Sequence, residues 1–364
     1  MKKVRLTDIC NPKQWRTIPT SELLNEGYPV YGANGIIGYY SEYNHKNSVV
    51  TVTCRGATCG AVNITTPKAY VTGNAMCLDD VRSDIKIDYL YYCLKYYDFN
   101  NVISGSAQPQ ITRQGMQKIN IPICSHDEQL NIVNRLIKVE KIVGFRKQQL
   151  ELLDELVKAR FVEMFGDPVT NPMGWEVVTI REVVTEVRYG TSKPAVENGK
   201  YPYLRMNNLT VDGRLDLNDL KYIDIPDDEV EKCIVRKGDI LFNRTNSIEL
   251  VGKTAVFDLA DDMIIAGYII RVRLNEKILP EVLAQYMNLE ALKNIFRSMA
   301  KGAVNQANIN AQELQSVKVY IPDMELQKQF IEVKNQIDKS KVAIQKSLDE
   351  TQILFDSLMQ KYFG

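Results

Sequence analysis

A nucleobase edge in the major groove is read by side chains that donate and accept in pairs, Arg for guanine and Asn or Gln for adenine. Such residues gather beside glycines in several loops of this 364-residue chain. In the amino-terminal half they are Asn34, Arg55, Thr58, Gln108, Gln110, Thr112 and Arg113. In the carboxy-terminal half they are Arg205, Asn207, Asn208, Asn243, Arg244, Asn246, Lys301, Asn305, Gln306 and Asn308. Lys193, after Gly190-Thr191-Ser192, and Lys301 add charges suited to phosphate. Any one of these side chains can equally serve a turn or a helix cap. The glutamine–asparagine loop is the strongest candidate, because it recurs at one place in both halves and holds few residues a core could use.

Covalent chemistry finds no such gathering. Gly252-Lys253-Thr254 lacks the upstream glycine of a phosphate-binding loop and reads as a strand-end turn. Tyr31-Gly32-Ala33-Asn34-Gly35 is a turn between short strands, not a dinucleotide fingerprint. An amino-methyltransferase loop needs two prolines and an aromatic after Asn or Asp; Asn11-Pro12-Lys13-Gln14 and Asn171-Pro172-Met173-Gly174 lack them. Asp227, Asp228 and Glu229 read as a solvated loop, and no nuclease cluster stands out. The only histidines are His45 and His126, and the closest cysteines, Cys54 and Cys59, form no CxxC, so neither a serine triad nor a zinc site is expected. Seven cysteines, an odd number, fit reduced thiols. No stretch approaches the ~18 apolar residues of a membrane span. The basic start, Met1-Lys2-Lys3, has no apolar core behind it, so a cytoplasmic location is expected. Lys plus Arg and Asp plus Glu both number 45. That balance weighs against nucleic acid unless the bases line one face or a partner supplies the phosphate contacts.

The elements that hold these loops repeat. Displaced by 198 residues, Gln108 meets Gln306, Ile111 meets Ile309 and Gln129 meets Gln327, and Phe165-Gly166 meets Phe363-Gly364. Upstream, Val4 to Ile9 parallels Val178 to Val183, and Tyr28-Pro29 parallels Tyr201-Pro202. Val49 to Thr53 and Ile240 to Phe242 each run into a polar turn carrying an Arg. Each tail follows a 4,3 apolar spacing. The positions are 132, 136, 139, 143, 146, 150, 153, 157, 160 and 164, and the same plus 198, as in a coiled-coil seam. The chain is therefore expected to be α+β, with mixed domains over 1–125 and 167–323. Helical regions over 126–166 and 324–364 should pair antiparallel, giving a pseudo-two-fold rod with helices of ~50 Å.

This repeat and several strings resemble the specificity subunit of type I restriction–modification systems, over essentially the whole chain. The strings are Tyr28-Pro29-Val30-Tyr31-Gly32-Ala33-Asn34-Gly35 and Gly105-Ser106-Ala107-Gln108-Pro109-Gln110-Ile111-Thr112. Ile119-Asn120-Ile121-Pro122 leads into Asp127-Glu128-Gln129, and Val319-Tyr320-Ile321-Pro322 into Glu325-Leu326-Gln327. Phe165-Gly166-Asp167-Pro168 and Gly174-Trp175-Glu176 form the link between halves. The resemblance implies two target-recognition domains, each reading half of a bipartite double-stranded DNA site, with the helices setting the spacer. It implies methyltransferase subunits, usually two, docked along the helices, and restriction or translocase subunits beyond. S-adenosylmethionine, ATP and Mg would be bound by those partners and no cofactor by this chain, which would be non-catalytic. The second copy departs from the pattern at Glu325-Leu326. Arg146, Arg160, Lys334 and Lys341 interrupt the seam, either facing a partner or phosphate or extending out of the seam. Two rivals stand beside this reading: a scaffold that binds protein and reads no DNA, and a recognition subunit whose methyltransferase and nuclease are fused. Gln306→Ala and Asn308→Ala should each weaken recognition of one half-site by about 1–3 kcal/mol per lost bidentate contact, checked as a changed methylation pattern.

Overall fold

The computed structural model describes residues 1–105, 108–300 and 306–364. It divides into two compact units, 1–147 with 346–364, and 148–345. The division falls within the two long helices, His126–Phe165 and Met324–Phe363, each of 40 residues. At 1.5 Å per residue each is about 60 Å long.

In the first unit a short strand, Lys2–Arg5, pairs antiparallel with Asn120–Ile123, Val4 lying opposite Ile121. A four-stranded antiparallel sheet follows in the order Asn11–Gln14, Ala75–Asp79, Val50–Thr53, Val62–Ile64. Val50 to Thr53 is buried at every position, as a β-branched strand between two neighbours should be. A second sheet sets Tyr28–Gly32 between Gly35–Tyr40 and Tyr70–Val71, the last pair parallel. The helix Ile87–Tyr96 covers the core with Tyr89, Leu90, Cys93 and Leu94.

The second unit has the same plan in the same order. Glu176–Thr179 pairs antiparallel with Lys318–Ile321. Its four-stranded sheet runs Val184–Tyr189, Ile269–Leu274, Ile240–Asn243, Thr254–Val256. Its second sheet again contains one parallel pair, Tyr201–Leu204 with Met263–Ile265. Tyr28-Pro29 and Tyr201-Pro202 thus begin equivalent strands. Pro280–Asn288 takes the place of the covering helix, and Glu290–Met299 follows it.

Within each unit the helices pack antiparallel. In the first, Arg135 Nη1 donates to the Tyr362 hydroxyl at 3.2 Å, and Phe355, Met359 and Phe363 share a core with Ile132 and Leu136. In the second, Phe161 meets Phe330 edge to face with centroids 5.3 Å apart, and Phe165 meets the same ring at 5.4 Å. Every seam position is buried or half-buried. The charged interruptions all find partners within their own unit. Arg146 donates to the Ser347 carbonyl, and the buried Lys341 pairs with Asp154. Lys334 pairs with Asp338 at 2.7 Å and Arg160 with Glu163 at 2.6 Å.

One repeated identity has a repeated task. Gln129 is fully buried; its amide donates to the carbonyls of Asp84 (2.9 Å) and Cys124 (3.1 Å), and its oxygen accepts from Lys86 N (2.9 Å). Gln327, also fully buried, donates to Lys277 (3.2 Å) and Pro322 (2.8 Å) and accepts from Leu279 N (2.8 Å). Lys86 and Leu279 are the N-caps of the two covering helices, and neither side chain caps its own helix. Each glutamine therefore ties a long helix to the start of a covering helix. Gln129→Leu or Gln327→Leu leaves three backbone groups without their partner, at about 1–3 kcal/mol for each one that water does not reach. Either change should lower the unfolding midpoint of its own unit by denaturant titration.

Candidate nucleic-acid interface

The predicted loops converge at one end of each four-stranded sheet. In the first unit the strand Val50–Thr53 runs out at Cys54, and Arg55 follows it, exposed. The glutamine loop returns beside it: Ile111 N donates to the Cys54 carbonyl at 3.0 Å, Gly56 N to the Pro109 carbonyl at 3.3 Å, and Gln110 bridges Arg55. Asn34 joins from the neighbouring hairpin, its Oδ1 accepting from Thr58 Oγ1 at 2.5 Å. Gly105 permits the tight return, with φ of +87° and a site where a Cβ would stand 2.6 Å from the Gln108 carbonyl oxygen. Gln108 and Gln110 are exposed. Thr112 is the N-cap of the short helix Arg113–Met116, accepting from Gly115 N at 3.1 Å, and Arg113 donates to Asn11 Oδ1 at 2.9 Å.

In the second unit Ile240–Asn243 ends in the turn carrying Arg244 and Asn246. The loop returns in the same register: Thr245 pairs with Asn308, Asn246 with Ala307, and Ile309 N donates to the Arg244 carbonyl at 2.9 Å. Gln306 and Asn207 are exposed. Lys301 and Asn305 lie outside the described residues.

Several expected readers are committed elsewhere. Asn243 is fully buried, its amide donating to Thr245 O (3.1 Å) and Tyr268 O (3.2 Å) and its oxygen accepting from Asn246. Asn208 is buried too, joining Arg205 N (2.8 Å) to the Asp216 carbonyl (2.8 Å). These two hold turns together and keep no edge for a base, because a buried amide must meet its own hydrogen-bonding needs internally. Arg205 pairs with Asp219 at 2.6 Å, and Lys193 with Glu229 at 2.9 Å.

Other residues behind these loops gave no recognisable signal in the sequence. Lys253, of the Gly-Lys-Thr string, is buried and donates to the carbonyls of Met206 (2.8 Å) and Leu209 (2.5 Å), bracing the segment around Asn207. Lys293, also buried, donates to the Gly252 carbonyl at 2.7 Å. Tyr189 ends the edge strand Val184–Tyr189, and its ring lies under the Arg244 guanidinium. Gly190 follows because a Cβ there would stand 2.1 Å from the Ile265 carbonyl oxygen.

His45, Cys77 and Asp79 bring possible metal-ligating atoms within 4.8 Å of one another. Their nitrogens and oxygens already have protein partners. His45 Nδ1 lies 2.6 Å from Asn44 Oδ1 and Nε2 2.9 Å from Asp79 Oδ1, while the Trp15 indole donates to Asp79 Oδ2 at 3.0 Å. Burial, with Asp79 adding to it, pushes the Cys77 thiol well up. The cluster is a hydrogen-bonded corner where the strand Ala75–Asp79 of the four-stranded sheet meets the segment of His45.

Two α/β units of one plan, each setting a polar turn against a glutamine or asparagine loop, define an internally duplicated protein. The chain belongs to the family of type I restriction modification DNA specificity domains, which matches residues 1–155 and 172–352. It is 31% identical over 196 residues to a putative type I restriction enzyme MjaX specificity subunit of Methanocaldococcus jannaschii, covering 53% of this chain and 46% of that one. It is 23% identical to the type I restriction enzyme EcoKI specificity subunit of Escherichia coli K12, covering 72% of this chain and 60% of that one. It thus spans about half the length of the curated relatives it matches. A type I restriction–modification S subunit from M. genitalium superposes with a TM-score of 0.60 at 15% identity, covering 100% of this chain and 96% of that one.

Burial, with the charges of Arg297 and Lys253 adding to it, lowers the Lys293 ammonium to about 7. An unfolded lysine titrates near ~10.4. The unfolded chain therefore binds the extra proton between these values, and stability should rise as pH climbs from about 7 toward ~10. Thermal melts across this window should show a component that Lys293→Met removes.

Proposed function

We propose that this chain recognises a bipartite DNA sequence, one half-site per domain, and brings methyltransferase subunits to it. The single observation that carries the proposal is the glutamine–asparagine loop, returned twice to the same sheet end in the same backbone register, with Gln110 opposite Arg55 and Asn308 opposite Thr245, the arginine of the second copy standing one position earlier at Arg244. Arg and Gln/Asn side chains are the ones whose donor and acceptor pairs match guanine and adenine edges. The loops differ between copies while the strands beneath them agree, as two readers of different half-sites require.

The long helices serve the partners. Outside the seam they leave apolar side chains in solvent: Phe145 is 63% exposed, Val342 70% and Ile353 68%. These side chains are the apolar surface the helices would offer to a partner subunit. Partner subunits would carry S-adenosylmethionine, ATP and Mg, restriction or translocase subunits among them, and this chain would do no covalent chemistry. Their surfaces would also supply the phosphate contacts that a chain of zero net charge lacks. A protein working on chromosomal DNA in this way would act in the cytoplasm. Among the described residues no helix is long and apolar enough to cross a membrane.

Methylated bases mapped across the genome, with and without the chain, test the reading. The expected result is one motif of two short half-sites around an unspecified gap, lost when the chain is deleted. Methylation that keeps its sequence pattern without the chain would favour a scaffold and overturn the proposal.

A further inference from the structure

We propose that Arg244 reads a guanine in the half-site of the second domain, and that Tyr189 holds Arg244 in position for it. The inference rests on the DNA-reading role proposed above and deepens it.

Arg244 stands apart from its neighbours in charge pairing. Between residues 188 and 297 every other arginine has a carboxylate partner. Arg271 reaches Glu186 at 2.5 Å, Arg273 reaches Asp239 at 2.8 Å and Arg236 reaches Glu231 at 2.6 Å. Among the described residues no acid pairs with Arg244. Its guanidinium lies over the Tyr189 ring, 5.0 Å from the centroid. A guanidinium stacked on an aromatic face keeps its N–H edge free for a planar acceptor pair.

The mount on both sides is rigid. Arg244 N donates to the Tyr268 carbonyl at 3.0 Å, and the Arg244 carbonyl accepts from Ile309 N at 2.9 Å. The Tyr189 hydroxyl accepts from Ala311 N at 2.8 Å, which ties the ring to the short helix after the loop. Two polar atoms here remain unmet: Arg244 Nε and Asn308 Oδ1 are both buried without a hydrogen-bond partner. Unmet buried groups are costly, and a ligand bringing both an acceptor and a donor relieves them. A guanine–cytosine pair presents two acceptors and a donor side by side in the major groove. A phosphate diester offers acceptors alone and would leave Asn308 Oδ1 without a donor.

The test uses the full chain expressed with its methyltransferase partner, with methylated bases mapped for the wild type and for Arg244→Lys, Arg244→Gln, Tyr189→Phe and Tyr189→Leu. Arg244→Lys keeps the charge and loses the fork. It should reduce the preference for one G·C pair in one half-site by about tenfold or more, leaving the other half-site intact. Tyr189→Leu should relax the same position to a smaller extent, and Tyr189→Phe, which keeps the ring, less again. A merely structural tyrosine would instead lower methylation at all sites without changing the motif, and that result removes its positioning role. An unchanged motif in Arg244→Lys, or a uniform loss in Arg244→Gln with the motif kept, overturns the assignment to guanine. A wild type that yields no sequence-defined motif sinks the DNA-reading role itself, which separates the two failures.

Discussion

Phe165 and Phe363 stand one residue before equivalent glycines, 198 positions apart, and each closes a core. Phe165 lies against Phe330, and Phe363 against Tyr89 with centroids 5.6 Å apart. Burying such a ring contributes about 1.5–3 kcal/mol, and in each unit it comes from the end of one long helix meeting the beginning of the other. A helix of this length with one apolar stripe is marginal alone, so packing decides whether it forms. The strand pairs at the base of each unit, the covering helices and the loops above them all depend on that closure. Gln129 and Gln327 add the polar half of the same joint.

A joint that rigid lets the other sheet end vary. The strands leading to Cys54 and Asn243 are buried on both faces and keep one register, while the turns beyond them differ in sequence. Function placed on loops over such a scaffold can diverge without disturbing the core. The two covering helices show the same freedom at a distance, since the second unit adds Glu290–Met299 where the first has only a short 3-10 turn at Phe99–Asn101.

The neutral charge also has a structural account. Much of the basic content of the second unit is spent internally. Arg271 is fully buried and shares Glu186 with Arg273, which also pairs with Asp239. Burial alone would raise the Glu186 carboxyl, but the bond from Arg188 and the charges of Arg271 and Arg273 hold it below its ordinary range. Breaking one member of such a set strands the others, so these residues maintain the fold. Among the described residues, Arg55 at the loop end of the first unit and Arg244 at that of the second pair with no carboxylate.

The repeat, the seam and the absence of a covalent-chemistry motif were legible from residue order, because they depend on period and spacing along one chain. The 4,3 apolar rhythm placed both helices and their buried faces, and the recurrence of Gln108/Gln306 and Ile111/Ile309 marked the loop. Which polar residues are available was decided only by tertiary structure. Asn243 and Asn246 sit three apart in one turn and look alike as sequence, yet one is fully buried among carbonyls from two segments. Arg205 and Arg244 both follow a strand, but Asp219 reaches the first and a tyrosine ring underlies the second. Those partners lie 14 and 55 residues away along the chain. Period is a property of neighbours in sequence; commitment of a polar group is a property of neighbours in space.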